Sequence, residues 1–276
     1  MQLPEQKSER NRLLRALDAE DYRWITPQLE HVTLKSGDVL AAENQPFTHV
    51  YFMDTGVASV TNKVSGGTVE VGTVGNEGLA GLSVFLDGGG IPSRTFVQVP
   101  GDGRRMPAAE FAAGAEERPG LQKILKRYVQ AYLIQVAQTA ACNRAHSIEE
   151  RCARWLLMTH DRVGGADTFP LTHQFLAYML GVRRAGVTVA AGILQKAGLI
   201  QYTRGRITIS DRVGLEAASC ECYSIVAGHV DRLIAPAHSA ETRDEDRPYD
   251  LRMAGLSDGD MDFTKGNGRV KLLRNN

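Results

Sequence analysis

The spacing of apolar and polar positions changes along the chain, and each change marks an element. Between residues 8 and 25, Leu13, Leu14 and Leu17 share one side of a short amphipathic helical piece, and Asp18 with Asp21 marks a restart cap. From about residue 30 to 106 the period shortens to two. Val32-Thr33-Leu34 runs into the turn Lys35-Ser36-Gly37-Asp38, and Val50 to Met53 leads through Asp54-Thr55-Gly56 into Val57 to Val60. Val69 and Val71, then Thr95, Val97 and Val99, alternate with polar neighbours. Short strands and glycine turns at this spacing predict a small antiparallel barrel or roll. A short helix over 107–113, with Ala108 and Phe111 inside, completes a segment from 8 to 118.

The helical period then returns. A long helix over 119–145 carries two stripes, Leu125, Val129, Tyr132 and Val136 on one and Leu121, Ile124 and Tyr128 on the other. Two apolar faces predict two neighbours, the roll on one side and a second copy of the chain on the other. Asn143 to His146 break this helix, so 119–146 is expected to be a dimerisation helix and hinge. Ser147 and Glu150 have capping-box spacing and start a helix running to about Val163, with Ile148, Cys152, Trp155 and Leu156 inward and Gly164-Gly165 at its end.

The most informative stretch is 170–200. Thr172 is placed to cap a helix whose apolar face is Phe175, Leu176, Met179 and Leu180. Gly181 sits where a tight turn needs a residue without a Cβ. Val182, Val187, Ala190, Ala191 and Leu194 form the inner face of a second helix, and Arg183, Arg184, Ala185 and Thr188 its outer face. Gly198 closes it. Ile200 to Thr203 and Ile207 to Ile209 alternate as two strands around Arg204-Gly205-Arg206, and Val213 to Leu233 is helical again. That order is a helix-turn-helix with a wing, in a segment from 147 to 234. Residues 235–276 hold scattered glycines, many charges and few large apolar residues, and are expected to be a disordered tail.

Charge sharpens this reading. The chain has 32 basic and 32 acidic residues, yet between Arg151 and Arg212 there are nine Lys or Arg against Asp161, Asp167 and Asp211. Positive charge is concentrated where a surface that docks on phosphates requires it. The N-terminus MQLPEQKSER has no apolar core, and no run of about 18 apolar residues exists, so neither a signal peptide nor a membrane span is expected. Cys142, Cys152, Cys220 and Cys222 are too few and too clustered for a disulfide scaffold and fit a reducing cytoplasm. Cys142 and Cys152 fall at apolar helical positions. Cys220-Glu221-Cys222 is either two small helical residues, a thiol switch or half of a metal site, and the seven histidines show no ligand spacing, so no metal is expected. Neither a nucleophile elbow, a P-loop nor an HExxH motif is present, and no enzyme activity is expected.

A roll, a long helix, a hinge and a winged helix-turn-helix, in that order, resemble the Crp/Fnr family of bacterial transcription regulators over about residues 30 to 215. The resemblance rests on Leu180-Gly181 with Arg184, on Ile193-Leu194 followed by Gly198-Leu199-Ile200, and on Gly75-Asn76-Glu77-Gly78-Leu79-Ala80-Gly81-Leu82. It implies an α+β fold with a cyclic-nucleotide-binding-like roll, and a homodimer that binds double-stranded DNA, with RNA polymerase as a further partner. It implies Arg183 and Arg184 as base readers, Thr188 one turn on, His173 and Gln174 on phosphates at a helix N-terminus, and Arg204 and Arg206 as backbone contacts in the wing. The cyclic-nucleotide site departs from the family's pattern. The Gly-Glu pair that would hold a ribose falls on Ala80-Gly81, and the Arg-Ser pair falls near Ser93-Arg94-Thr95 behind extra glycines at 88–90. Arg94 remains an anion candidate and Glu77 lies four residues early, so cyclic-nucleotide binding is not expected. Ala185 and Val189 stand where the family carries a glutamate and a second arginine, which implies a different operator. The alternative is a ligand- or thiol-sensing module in which DNA binding is secondary.

Overall fold

Local capping chemistry sets the first elements. The computed structural model describes residues 4–65 and 67–235. α1 (Pro4–Lys7), α2 (Arg12–Ala16) and α3 (Ala19–Ile25) replace the single helical piece. Asn11 caps α2 by accepting from the Leu14 N–H, and Asp18 caps α3 by accepting from Glu20 and Asp21. Asp21 is no cap. It is buried and meets Arg118 at 3.2 Å.

The period-two region forms eight strands: β1 (Glu30–Leu34), β2 (Val39–Ala41), β3 (His49–Met53), β4 (Val57–Val64), β5 (Gly67–Val74), β6 (Leu79–Ala80), β7 (Arg94–Val99) and β8 (Gly101–Pro107). They make two antiparallel sheets, ordered β1-β8-β3-β6 and β2-β7-β4-β5. This is the roll. Leu34, Met53, Ala58 and Val97 fill one core between the sheets. α4 (Leu82–Phe85) bridges β6 and β7. α5 (Ala108–Glu117) runs past residue 113 because Gly114 and Ala115 continue the buried face of Phe111. A second core joins Leu14, Ile25, Phe52, Phe111 and Leu125 beneath the helices.

α6 (Pro119–Ala145) has the expected extent, and Leu121, Ile124, Leu125 and Tyr128 press on the roll. Leu125 thus belongs to the roll-facing side. Val129, Tyr132 and Val136 are half-buried, with Tyr132 packed on the core between the sheets, and Leu133, outside both expected stripes, is 61% exposed. The glycines of segment 75–78 make this packing possible. A Cβ on Gly78 would lie 2.1 Å from the Tyr128 ring, and one on Gly75 would lie 2.3 Å from the Arg162 side chain.

His146 ends α6, and Ser147 starts α7 (Ile148–His160) with both hydrogen bonds of a capping box. α7 stops before Val163, and Gly164 and Gly165 take left-handed conformations in the turn that follows. Residues 151–159 of α7 are all buried, because the roll lies on one side of the helix and the C-terminal elements on the other. Those elements are β9 (Thr168–Pro170), α8 (His173–Leu180), α9 (Arg184–Lys196), β10 (Ile200–Thr203), β11 (Arg206–Ile209), α10 (Arg212–Ala217) and α11 (Cys222–Leu233). β9, β11 and β10 form a three-stranded sheet. The expected tail lies outside the described residues, except for Ala235.

Candidate nucleic-acid interface

Two helices and a hairpin build the site. Thr172 caps α8 by accepting from Phe175 N–H at 3.1 Å. Gly181, at φ +61°, ends α8 and lets Val182 N–H reach back to the Ala177 carbonyl at 3.0 Å. The chain then turns so that α8 and α9 meet at 108°. Val187, Ala190, Ala191 and Leu194 bury one side of α9 against α7 and α8, as the pattern predicts. The opposite side faces solvent with Arg184, Ala185, Thr188, Val189, Gly192 and Ile193. Arg183 is the N-cap and supplies no side-chain hydrogen bond, so the first N–H groups of α9 face outward beside two cations.

The predicted residues do not all stand alike. Gln174, Arg183 and Arg184 are exposed. Thr188 donates to the Arg184 carbonyl at 3.1 Å, and its oxygen lies 3.2 Å from His173 Nδ1. His173 stacks on Tyr202, ring centroids 4.1 Å apart. Burial, and then the nearby Arg184 guanidinium, push its pKa down, so its ring braces α9 as a neutral base. In the wing, Thr203 pairs with Arg206, which leaves Arg204-Gly205 as a two-residue turn. Both turn residues have positive φ, +48° and +78°, as the twist of a tight hairpin demands. Arg206 belongs to β11, and both wing arginines are exposed.

The charge surplus is smaller at the surface than in the sequence. Arg151, Arg154 and Arg162 are buried. Arg151 donates to the Leu180 carbonyl, and Arg154 to Thr139. Arg162 grips Glu77 with two hydrogen bonds of 2.8 and 2.9 Å. Arg212 pairs with Asp161 and Glu216, each at 2.7 Å. Five exposed cations remain: Arg183, Arg184, Lys196, Arg204 and Arg206.

The same packing joins α7 and α8 to the roll. Trp155 Nε1 donates to Glu70 Oε1 at 2.9 Å, and Ser59 donates to the other carboxylate oxygen at 2.6 Å. Burial, outweighing those hydrogen bonds, pushes the Glu70 carboxyl up to about 7. Phe175 of α8 meets Phe96 of β7 edge-on, with centroids 6.2 Å apart.

Inside the roll a cavity of about 230 Å³ opens against α6, lined by Phe47, Leu79, Leu82, Tyr128 and other apolar side chains. Arg94 does not line it. Strand alternation turns Thr95 inward and Arg94 outward, where its guanidinium covers the Phe96 ring. Glu77 is committed to Arg162 and is no substitute for the missing ribose carboxylate.

The family model of the Crp-like helix-turn-helix domain matches residues 150–218, the span of α7 to α10. The chain thus carries a Crp-like helix-turn-helix domain. Its fold is shared with solved Crp/Fnr proteins. A transcriptional regulator assigned to that family from Eubacterium rectale is 20% identical, with a TM-score of 0.57, covering 75% of this chain and 96% of its own. FixK2 from Bradyrhizobium japonicum is 16% identical, with a TM-score of 0.59, covering 70% and 98%. A CRP-family transcriptional regulator from Thermus thermophilus is 16% identical, with a TM-score of 0.56, covering 68% and 96%. No curated protein sequence matches the chain. The chain's α8–α9 pair is thus the helix-turn-helix of that Crp-like domain. Among its described residues no single helix is long and apolar enough to cross a membrane.

Proposed function

We propose that the protein acts in the cytoplasm as a homodimer that reads a two-fold symmetric DNA site, with α9 of each copy in a major groove. The observation that carries this reading is the outer face of α9. It is exposed along its length while the inner face is locked by packing, and two arginines stand at its open N-terminus. Arg184 is placed to give two hydrogen bonds to a guanine edge. Val189 and Ile193, 60% and 50% exposed, suit thymine methyl groups. Arg183, Gln174 and the wing residues Arg204 and Arg206 meet phosphates, while His173 holds Thr188 against the start of α9. The partner copy covers the outward side of α6 around Leu133, a helix about 40 Å long by its 27 residues.

Selection of bound duplexes from a random pool by the purified chain tests this. The expected product is a symmetric motif with half-sites about one helical turn, roughly 34 Å, apart. An asymmetric motif, or a chain that stays monomeric when it binds, overturns the dimer reading.

The roll cavity supports a second, subordinate role in sensing. Its lining offers apolar side chains and neither a cation nor a carboxylate, so an effector held there is an uncharged apolar molecule rather than a cyclic nucleotide. Such a molecule acts by favouring one orientation of the DNA-binding elements about residues 143–147.

A further inference from the structure

The hinge brings together four side chains that the sequence scatters. Cys142 and His146 lie one helical turn apart at the end of α6, and Cys220 and Cys222 lie where α10 passes into α11. All four offer a ligand atom, and these atoms fall within 4.8 Å of one another. The three thiols are free and buried.

We propose that Cys142, His146, Cys220 and Cys222 form a mononuclear zinc site that clasps the two ends of the DNA-binding segment together. The spacing fits a single ion. Four ligands held tetrahedrally, at about 2.3 Å for sulfur and about 2.0 Å for nitrogen, set sulfur–sulfur edges near 3.8 Å and sulfur–nitrogen edges near 3.5 Å. The Cys142 and Cys220 sulfurs are 3.6 Å apart, and Cys222 Sγ lies 3.5 Å from His146 Nδ1. An iron–sulfur cubane spreads its cysteines over a wider body than this cage admits.

The surrounding groups are those a zinc site uses. The carboxylate of Glu221 lies 3.1 Å from His146 Nε2, so it accepts that proton and leaves Nδ1 free to bind metal. Gln138 Nε2 donates to Cys222 Sγ at 3.0 Å. Arg154 and Arg151 place positive charge beside Cys142. Those two arginines are buried, and the Nε atom of each lacks a hydrogen-bond partner. Three thiolates and a dication leave one net negative charge, which buried guanidiniums offset. On binding, the remaining thiol protons pass to solvent, and no electron is transferred.

The consequence follows from chain order. The whole run α7 to α10 lies between the two ligand pairs, so a bound ion closes that run into a loop and fixes the hinge residue His146.

The test uses the full chain, purified without a histidine tag and under reducing conditions. Metal analysis is expected to return one zinc per chain. Cobalt titrated into chelator-treated protein is expected to give the intense visible bands of a tetrahedral thiolate site. Both signals should vanish in Cys220→Ser and persist in Cys152→Ser, which removes a buried thiol elsewhere. The wild-type cobalt spectrum stands alone if Cys220→Ser does not fold. Weak bands of a six-coordinate ion overturn the proposal, as does iron with inorganic sulfide. A Cys142–Cys220 disulfide in protein prepared without oxygen overturns it as well.

Discussion

Eight of the nine cations between Arg151 and Arg212 fall into two groups with opposite surroundings. Arg151, Arg154 and Arg162 are buried where α7 meets the roll, the long helix and α8. Arg183, Arg184, Lys196, Arg204 and Arg206 stand in solvent on α9 and the wing. The side chains are nearly the same and their energetics are not. A buried guanidinium has lost its water and depends on fixed partners, whereas an exposed one keeps its water until a phosphate or a base replaces it. A charge count along the chain therefore overstates the exposed positive charge, and the excess ties α7 and the turn after it to α8, to the long helix and to the roll.

The largest effect that would break this contrast is at Arg162. Arg162→Ala leaves Glu77 buried and unpaired, and should cost about 3–5 kcal/mol in denaturant unfolding. The double change Glu77→Leu with Arg162→Met should recover most of that loss. A cost near zero for the single change would place Arg162 with the solvent-exposed group.

Glu70 comes next, because the same contact buries a carboxyl without a cation bonded to it. Its folded pKa, about 7, is raised above the ordinary 4.5 by burial. The neutral form is therefore the stabilising one. Its contribution is complete below about pH 4.5 and is lost as pH rises through 7, on the order of 3 kcal/mol in all. Glu70→Gln should remove that slope while keeping an acceptor for Trp155. Urea unfolding of both proteins at several pH values decides it, and parallel curves would mean that Glu70 does not titrate in this window.

These two contacts also mark where reading the sequence stopped. The capping box at Ser147, the turn at Gly181, the extent of α6 and the inner face of α9 rest on residues three to seven positions apart, and local chemistry exposes them. The Gly75–Leu82 segment was visible as a resemblance, but its reason, room for Tyr128 and Arg162, belongs to packing. Glu70 with Trp155 and Glu77 with Arg162 each join residues 85 positions apart, which no periodicity connects. The cluster at the end of α6 was hidden in the same way. Cys220 and Cys222 were legible as a pair, whereas Cys142 read as core, and the spacing of Cys142 to His146, one turn of helix, was the missed signal.

On the exposed side the signature is reversed. Arg184→Ala should leave stability within about 0.5 kcal/mol and weaken the selected duplex by roughly 1–3 kcal/mol, with much less effect on random DNA. Anisotropy titrations on the two duplexes measure the difference. Equal losses would make Arg184 a phosphate contact and move base reading to Thr188 and the apolar positions beyond it.

The smallest effect is the one in which fold and function pull apart. Arg204 holds φ +48° in a two-residue turn, a conformation that glycine adopts freely and arginine does not. Arg204→Gly should therefore raise stability, by about 1 kcal/mol or less. It should also weaken specific and random duplexes alike, and the slope of log affinity against log salt should become shallower by about 0.9, the contribution of one phosphate contact. A slope that does not move would leave the arginine without a phosphate and its conformation unexplained. If both shifts are seen, the wing carries local strain to keep a cation at the hairpin tip. That is the opposite choice from Arg162, whose charge the fold neutralises in order to hold itself together.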